Sequence, residues 1–341
     1  MKFIGLDAHS RNSFFVVLGK NGKLLRRKKV SSQEDTILEF VRSVKGAKKL
    51  VFEEGVMSQW LYLLLKDEVD ELVVCKPSEN ESAKTDWIDA AENADLLRVG
   101  RLKSVFHTDD VLMNLRVLVS GYCDVTAEIT RTKNRYKALY REIALPTNGS
   151  GFYQAEELLS KLDTAQRQYV GTTLFEQLRL LEEQRCGYIE RFKENARAYS
   201  PIQLLMSIPG IGLIQANKIV AVIVTPYRFP RKYNLFSYAK LSNHKKISDG
   251  KQYGKKRPRG QPILKDVFKT AALSAIRGDN AFRRRYDELR AQGKDDRKSR
   301  SIIAKLIAAT VLGVWKSGKP YNDKQMEVTR RLSNKSCHSG A

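Results

Sequence analysis

Lys2-Phe3-Ile4-Gly5-Leu6-Asp7, then Phe14-Phe15-Val16-Val17-Leu18, then Leu24 to Val30 form the stretch on which the reading of the fold turns. Phe3 to Leu6, Phe14 to Leu18 and Leu24 to Val30 are short apolar or alternating runs of strand length. A polar turn at Ala8 to Asn12 separates the first two, and Gly19-Lys20-Asn21-Gly22-Lys23 carries a hairpin signal between the second and third. The pattern then changes period. A helix is predicted from a cap near Ser31-Ser32 through Ile37, Leu38, Phe40 and Val41. Leu50-Val51-Phe52 reads as a fourth strand, Trp60 to Leu65 lies in a second helix, and Leu72-Val73-Val74 reads as a fifth strand. Periodicity alone establishes an α/β class.

The whole chain has 341 residues, which suits two domains and a connector at ~100–200 residues per domain. Cys75, Cys123, Cys186 and Cys337 are scattered, without a Cys-x-x-Cys pair or a histidine at zinc-ligand spacing, which argues against a disulfide framework or a structural zinc. Met1 leads straight into the first strand with no signal-like apolar stretch. No later run approaches ~20 apolar residues, so the chain reads as cytoplasmic, with no membrane partner. The net charge of +23 is unevenly spread. Through residue 200, 31 Lys and Arg face 29 Asp and Glu; afterwards 30 face 9, which places +21 in the last 141 residues. So concentrated an excess repels itself unless a polyanion lies against it, and nucleic acid is the usual one. A generally basic, soluble protein is the bland alternative.

From Val111 to Phe192 the sequence reads as long helices. Leu115, Leu118, Tyr122, Val125, Ile129, Tyr136, Leu139 and Ile143 follow three-four spacing with a gap at Thr132, as in a coiled-coil seam. Pro146 to Gly151 breaks the run. Leu174, Leu178, Leu181, Tyr188 and Phe192 then form a second stripe, interrupted by Arg185. A long antiparallel coiled-coil arm is expected, either joining protomers or packing only on its own chain. The last segment opens with Ile208-Pro209-Gly210-Ile211-Gly212 before an apolar helix from Ala216 to Val224, a helix-hairpin-helix-like turn. Its backbone N–H groups at Gly210 and Gly212 suit a phosphate, although an ordinary helix–helix turn has the same residues. The basic run from Lys245 to Arg259, with Lys245, Lys246, Lys251, Lys255, Lys256, Arg257 and Arg259, together with Arg283-Arg284-Arg285, is assigned to phosphate contacts.

Three antiparallel strands followed by alternating helices and strands resemble the ribonuclease H fold. In that topology Asp7 ends the first strand and Glu53 ends the neighbouring fourth. Asp86 and Asp89 share one face at the start of a helix, by i, i+3 spacing. Carboxylates gathered this way repel unless a cation neutralises them, and hard oxygen ligands select Mg²⁺ or Mn²⁺. Such ions serve in-line phosphoryl transfer. Taken singly, each acid also reads as a turn residue, a strand-end charge or a helix-dipole charge.

Ile4-Gly5-Leu6-Asp7, Phe52-Glu53-Glu54-Gly55, Lys84-Thr85-Asp86-Trp87-Ile88-Asp89-Ala90 and the Pro209-Gly210 turn together resemble the DEDD transposases of bacterial insertion sequences, the bridge-RNA-guided serine recombinases, over the chain to about Tyr321. The resemblance implies a RuvC-like domain over residues 1–108, a coiled-coil arm over 109–200, and a mainly α transposase domain over 201–325, before a polar tail, 326–341. It further implies a nucleophilic serine, a structured guide RNA, double-stranded DNA as substrate and a homo-oligomer, dimer or tetramer. That serine falls on Ser248 in Ser248-Asp249-Gly250, after Leu235-Phe236-Ser237-Tyr238-Ala239-Lys240-Leu241; here Asp249 intervenes before the glycine and Lys240 replaces a family glycine. Glu54 is an alternative to Glu53, although the Glu-x-Gly spacing favours Glu53. Two other functions fit the residues: a metal-dependent hydrolytic nuclease needing only the acids, and a non-catalytic nucleic-acid-binding protein.

Overall fold

A computed structural model describes residues 1–77, 85–149, 151–242, 244–256, 258 and 260–324. They fall into two compact units, Met1–Asp110 and Val111–Ala341.

The first unit is built on a five-stranded mixed sheet. Strands β1 (Lys2–Ala8), β2 (Asn12–Leu18) and β3 (Leu24–Ser31) run as an antiparallel meander. Helix α1 (Glu34–Ser43) carries the chain to β4 (Lys48–Glu53), and α2 (Ser58–Leu65) to β5 (Glu71–Cys75). The order β3-β2-β1-β4-β5, with β4 parallel to both β1 and β5, follows from those crossovers, because parallel strands need a long connection and antiparallel ones only a turn. This topology is compatible with a ribonuclease-H-like domain. Side chains alternate across the central strands. Ile4, Leu6, Phe15 and Phe52 face Ile37, Phe40 and Val41 of α1. Phe3, Val16, Leu18 and Val51 face Ala90, Ala94 and Leu97 of α3 (Asp86–Arg98).

The start of α1 differs from the sequence reading. Its N-cap is Gln33, not a serine. Ser31 stays in the sheet opposite Asn12, and the Ser32 hydroxyl donates to the His9 carbonyl at 2.6 Å, so both serines are committed before the helix begins.

The second unit is mainly helical. Helices α4 (Leu115–Arg141) and α5 (Ala165–Ala198) pack antiparallel: Lys133 pairs with Glu182 at 2.8 Å, and Tyr136 meets Phe175, while Gly121 lies against Tyr188. The buried stripe of α4 is Leu115, Val119, Tyr122, Ile129, Thr132, Tyr136 and Tyr140. Thr132, the gap in the predicted seam, is therefore fully inside, and Val119 and Tyr140 take the places expected of Leu118 and Leu139. Tyr136 and Tyr140 share a buried hydroxyl hydrogen bond of 2.9 Å beside Phe152.

Helix α6 (Ser200–Met206) leads through the Pro209-Gly210 turn into α7 (Leu213–Ile223), which Asn217 ties to α5 by donating to the Phe192 carbonyl. The carbonyls of Ala221 and Val222 at the end of α7 are satisfied by Arg116 and Arg228. These are orphan acceptors that a buried helix end must place somewhere. Next come α8 (Lys232–Tyr238), a two-stranded ribbon of β6 (His244–Ser248) and β7 (Lys251–Lys256), and helices α9 (Pro262–Ala275), α10 (Ala281–Ala291) and α11 (Asp296–Ser317). Among the described residues no helix is long and apolar enough to cross a membrane.

Candidate metal centre and nucleic-acid interface

Asp7 sits near the end of β1, and Glu53 ends β4, each one residue past the paired Leu6 and Phe52. Strand alternation turns both toward the α3 face of the sheet. What brings α3 onto them is a close approach at Gly5. A Cβ there would overlap the Ala90 carbonyl oxygen and stand 2.8 Å from its carbon and 3.0 Å from the Ala94 nitrogen. With Ala90 and Ala94 also small and fully buried, helix and strand touch backbone to backbone. Thr85 caps the helix by accepting from the Ile88 N–H, and so fixes Asp86 and Asp89 in its first turn.

The result is a convergence of Asp7, His9 and Asp86. The His9 Nε2 lies 3.2 Å from Asp7 Oδ2 and 3.3 Å from Asp86 Oδ1. One ligand atom from each of the three falls within 4.8 Å of the others. Asp7 is the most enclosed, its side chain 20% exposed against 45% for Asp86. Burial pushes the Asp7 carboxyl above its ordinary range; His9 opposes this, and the charges of Asp86 and Asp89 add to it. Glu53 and Asp89 are outside this tight group. Glu53 accepts from the buried Asn93 Nδ2 at 3.1 Å, and Asn93 Oδ1 accepts in turn from the Cys75 thiol at 3.7 Å. Burial, with the nearby Glu53 charge, pushes that thiol up to about 12. The residues present fit a divalent cation: hard oxygens and an imidazole converge on Asp7, whose charge is disfavoured first by burial and then by Asp86 and Asp89, and a cation would offset both.

His9 and Asn93 were not singled out from the sequence. The signal for His9 was Asp7-Ala8-His9, since i, i+2 residues of an extended strand share a face. Asn93 follows Asp89 by four, one helical turn along the same side of α3.

Ser248 lies in the second unit, exposed, at the end of β6 and paired with Lys251. Asp249 and Gly250 both have positive φ, 49° and 67°, which makes the ribbon turn the two-residue type that Asp-Gly favours. Lys251 and Lys256 are exposed on this ribbon; Lys245 and Lys246 lie on β6, Lys255 opposite Lys245 on β7. Arg257 and Arg259 lie outside the described residues. Gly210, with φ 88°, packs so tightly on α9 that a Cβ would overlap the Ala271 carbonyl oxygen, and Gly212 is the N-cap of α7. The first of these glycines is therefore required by helix packing. Arg283, Arg284 and Arg285 are engaged with Asp287, with Asp279 and Asp323, and with Glu288 respectively.

Lys240, with φ 51°, occupies the left-handed position after α8. Its N–H reaches the Ser237 carbonyl, and the Leu241 N–H reaches that of Phe236, the paired bonds of a Schellman cap. Glycine is the ordinary residue there.

Two family models match the chain. A transposase model for the DEDD proteins of IS110 matches residues 4–144, and a model described as Transposase IS116/IS110/IS902 family matches residues 202–287. The chain belongs to the IS110 family of transposases. A relative from Streptomyces coelicolor, the insertion element IS110 uncharacterized 43.6 kDa protein, is 26% identical over 295 residues, which is 71% of this chain and 73% of the relative. The acidic cluster lies within the region matched by the DEDD model, and the α6–α7 turn and the Ser248 ribbon within that matched by the second. As an IS110-family transposase the protein is a DNA-recombining enzyme of a class that uses divalent metal.

Proposed function

We propose that this transposase cuts and rejoins DNA strands through a divalent cation, Mg²⁺ or Mn²⁺, held by Asp7, Glu53, Asp86 and Asp89, with Ser248 as covalent nucleophile. The observation that carries the proposal is the convergence of Asp7, His9 and Asp86 within a member of a DNA-recombining family. When bound, the cation would neutralise phosphate charge as it builds up. His9, between two carboxylates, orients Asp7 and Asp86, and Asn93 orients Glu53.

On this reading the Ser248 hydroxyl loses its proton and attacks phosphorus. The bond from phosphorus to a sugar oxygen breaks, that oxygen gains a proton, and the phosphoserine ester conserves the bond energy for rejoining. Lys251 beside Ser248, with Lys245, Lys246, Lys255, Lys256, Arg257 and Arg259, holds the DNA backbone, as do the Gly210 and Gly212 amides at the start of α7. By the family resemblance, the proposal extends to a dimer or tetramer, joined through the α4–α5 pair as a coiled-coil arm, in which the acidic unit of one protomer and the Ser248 unit of another compose each site. Recognition by a structured guide RNA, and action in the bacterial cytoplasm at the nucleoid, come with the family resemblance. On that view the RNA selects sequence and the protein reads backbone and shape.

The test is denaturing electrophoresis of labelled DNA after incubation with the protein, its flanking transcript and Mg²⁺. A protein–DNA adduct in the wild type that is absent from Ser248→Ala supports the serine pathway. Cleavage by Ser248→Ala with no adduct in either protein would mean that water is the nucleophile.

A further inference from the structure

The N-terminal unit is nearly neutral in sequence, yet one edge of its sheet is strongly basic. Strand β3 presents Arg26-Arg27-Lys28-Lys29, all exposed. Strand pairing sorts them onto opposite faces. Arg26 pairs with Val17 and stacks over Phe40 of α1, so it and Lys28 lie on the face away from the acids. Arg27 pairs with Val16 and Lys29 with Phe14. Phe14 in turn pairs with Asp7, so Lys29, Phe14 and Asp7 form one row across three strands, on the α3 face. Two strand spacings, roughly 10 Å, separate the backbone of Lys29 from that of Asp7.

Aromatic rings fill this row and hold its cations. The Phe14 ring stands nearly perpendicular to those of His9 and Trp87, at 6.2 and 5.0 Å between centroids. Lys29 Nζ lies 5.3 Å from the Phe14 ring and the Arg27 guanidinium 5.6 Å from that of Trp87. Among the described residues, neither cation has a carboxylate at ion-pair distance, unlike Arg42, Lys49, Lys66 and Arg98 of the same unit. A guanidinium resting on an indole keeps its N–H edge free for a phosphate and has less side-chain freedom to lose on binding.

We infer that Arg27 and Lys29 form a phosphate-binding strip that leads a DNA strand across Phe14 and Trp87 to the acidic cluster. The inference rests on the proposed role of that cluster in cutting DNA. The occupant follows from charge complementarity and from continuity with the site: cations two strands from a carboxylate cluster fit the phosphates a few nucleotides from the one being cut. Basic residues on an edge strand also discourage sheet-to-sheet pairing. That role does not distinguish the two faces of β3, whereas the strip requires only one of them.

The test is the salt dependence of binding by the full-length protein to a labelled 30-base-pair DNA duplex in EDTA, which needs neither metal nor cleavage. Each lost phosphate contact lowers the slope of log K against log salt by about 0.9. Arg27→Gln/Lys29→Gln should lower it by about 1.8, while Lys23→Gln/Lys28→Gln, which removes the same charge elsewhere on the hairpin, should leave it unchanged. Equal slopes for the two double variants would overturn the inference, as would a change seen with an RNA of the same length but not with the DNA. Because the slope is read without metal, either result leaves the reading of the acids as catalytic to be judged by cleavage.

Discussion

Replacing Gly5 with alanine should disable the acidic centre without altering any candidate ligand. The new methyl would sit 2.8 Å from the Ala90 carbonyl carbon and inside contact range of its oxygen, where carbon atoms ordinarily stand at least ~3.5 Å apart. Helix α3 must then withdraw from β1 by roughly 1 Å, and it carries Asp86 and Asp89 away from Asp7. Overpacking of this kind costs about 1–3 kcal/mol of stability. A displacement of that size at reacting groups lowers rates by about 10²-fold. The obstruction is backbone, so Ala90→Gly should not rescue it. Urea unfolding and the rate of Mg²⁺-dependent DNA cleavage, measured on Gly5→Ala and on the double variant, test this together. An unfolding midpoint and a cleavage rate both equal to wild type would refute the claim that this contact sets the centre.

Other predictions concern single groups. Asp7 is held above its ordinary range mainly by burial, so folding favours its protonated form; that contribution is complete below 3.8 and is lost as pH rises through the raised value. In EDTA at pH 7, Asp7→Asn should therefore melt at a higher temperature than wild type, and it should lose the stabilisation that Mg²⁺ gives the wild type. Lys240→Gly should raise stability by about 0.5–1 kcal/mol in urea unfolding, because φ 51° strains any residue with a Cβ. Cys75, buried and with its thiol pushed up to about 12, should resist iodoacetamide at pH 8 in the folded protein, while the exposed Cys186 reacts; mass spectrometry of the digested protein reads both.

Much of the first unit could be read in the sequence because its strands are short apolar runs bounded by turn residues, and a central strand such as Phe14 to Leu18 has few other ways to bury itself. The positions of Asp7 and Glu53 at neighbouring strand ends followed from strand order. His9 was passed over because it falls in what reads as a polar turn, and its role depends on a helix approaching from 77 residues away. The seam of α4 was shifted because Tyr140 and Thr132 are buried by hydroxyl bonding and by the packing of α5, neither of which an apolar count detects. The ribbon around Ser248 was hidden under its charge: Asp249-Gly250 is a hairpin signal, but the lysines flanking it carry no apolar alternation. The Arg283 to Arg285 run, assigned to phosphate contacts, also engages carboxylates between residues 279 and 323, partners that a reading of the basic run alone does not pair with it.

The most direct test of the acidic centre is metal-dependent strand cleavage by wild type, Asp7→Asn and Asp86→Asn at matched DNA occupancy, titrating Mg²⁺ and Mn²⁺. The account predicts cleavage by the wild type only with a divalent cation, and a loss of about 10²-fold or more in both variants with DNA binding retained. Cleavage at the wild-type rate by either variant, or undiminished cleavage in EDTA, would contradict it.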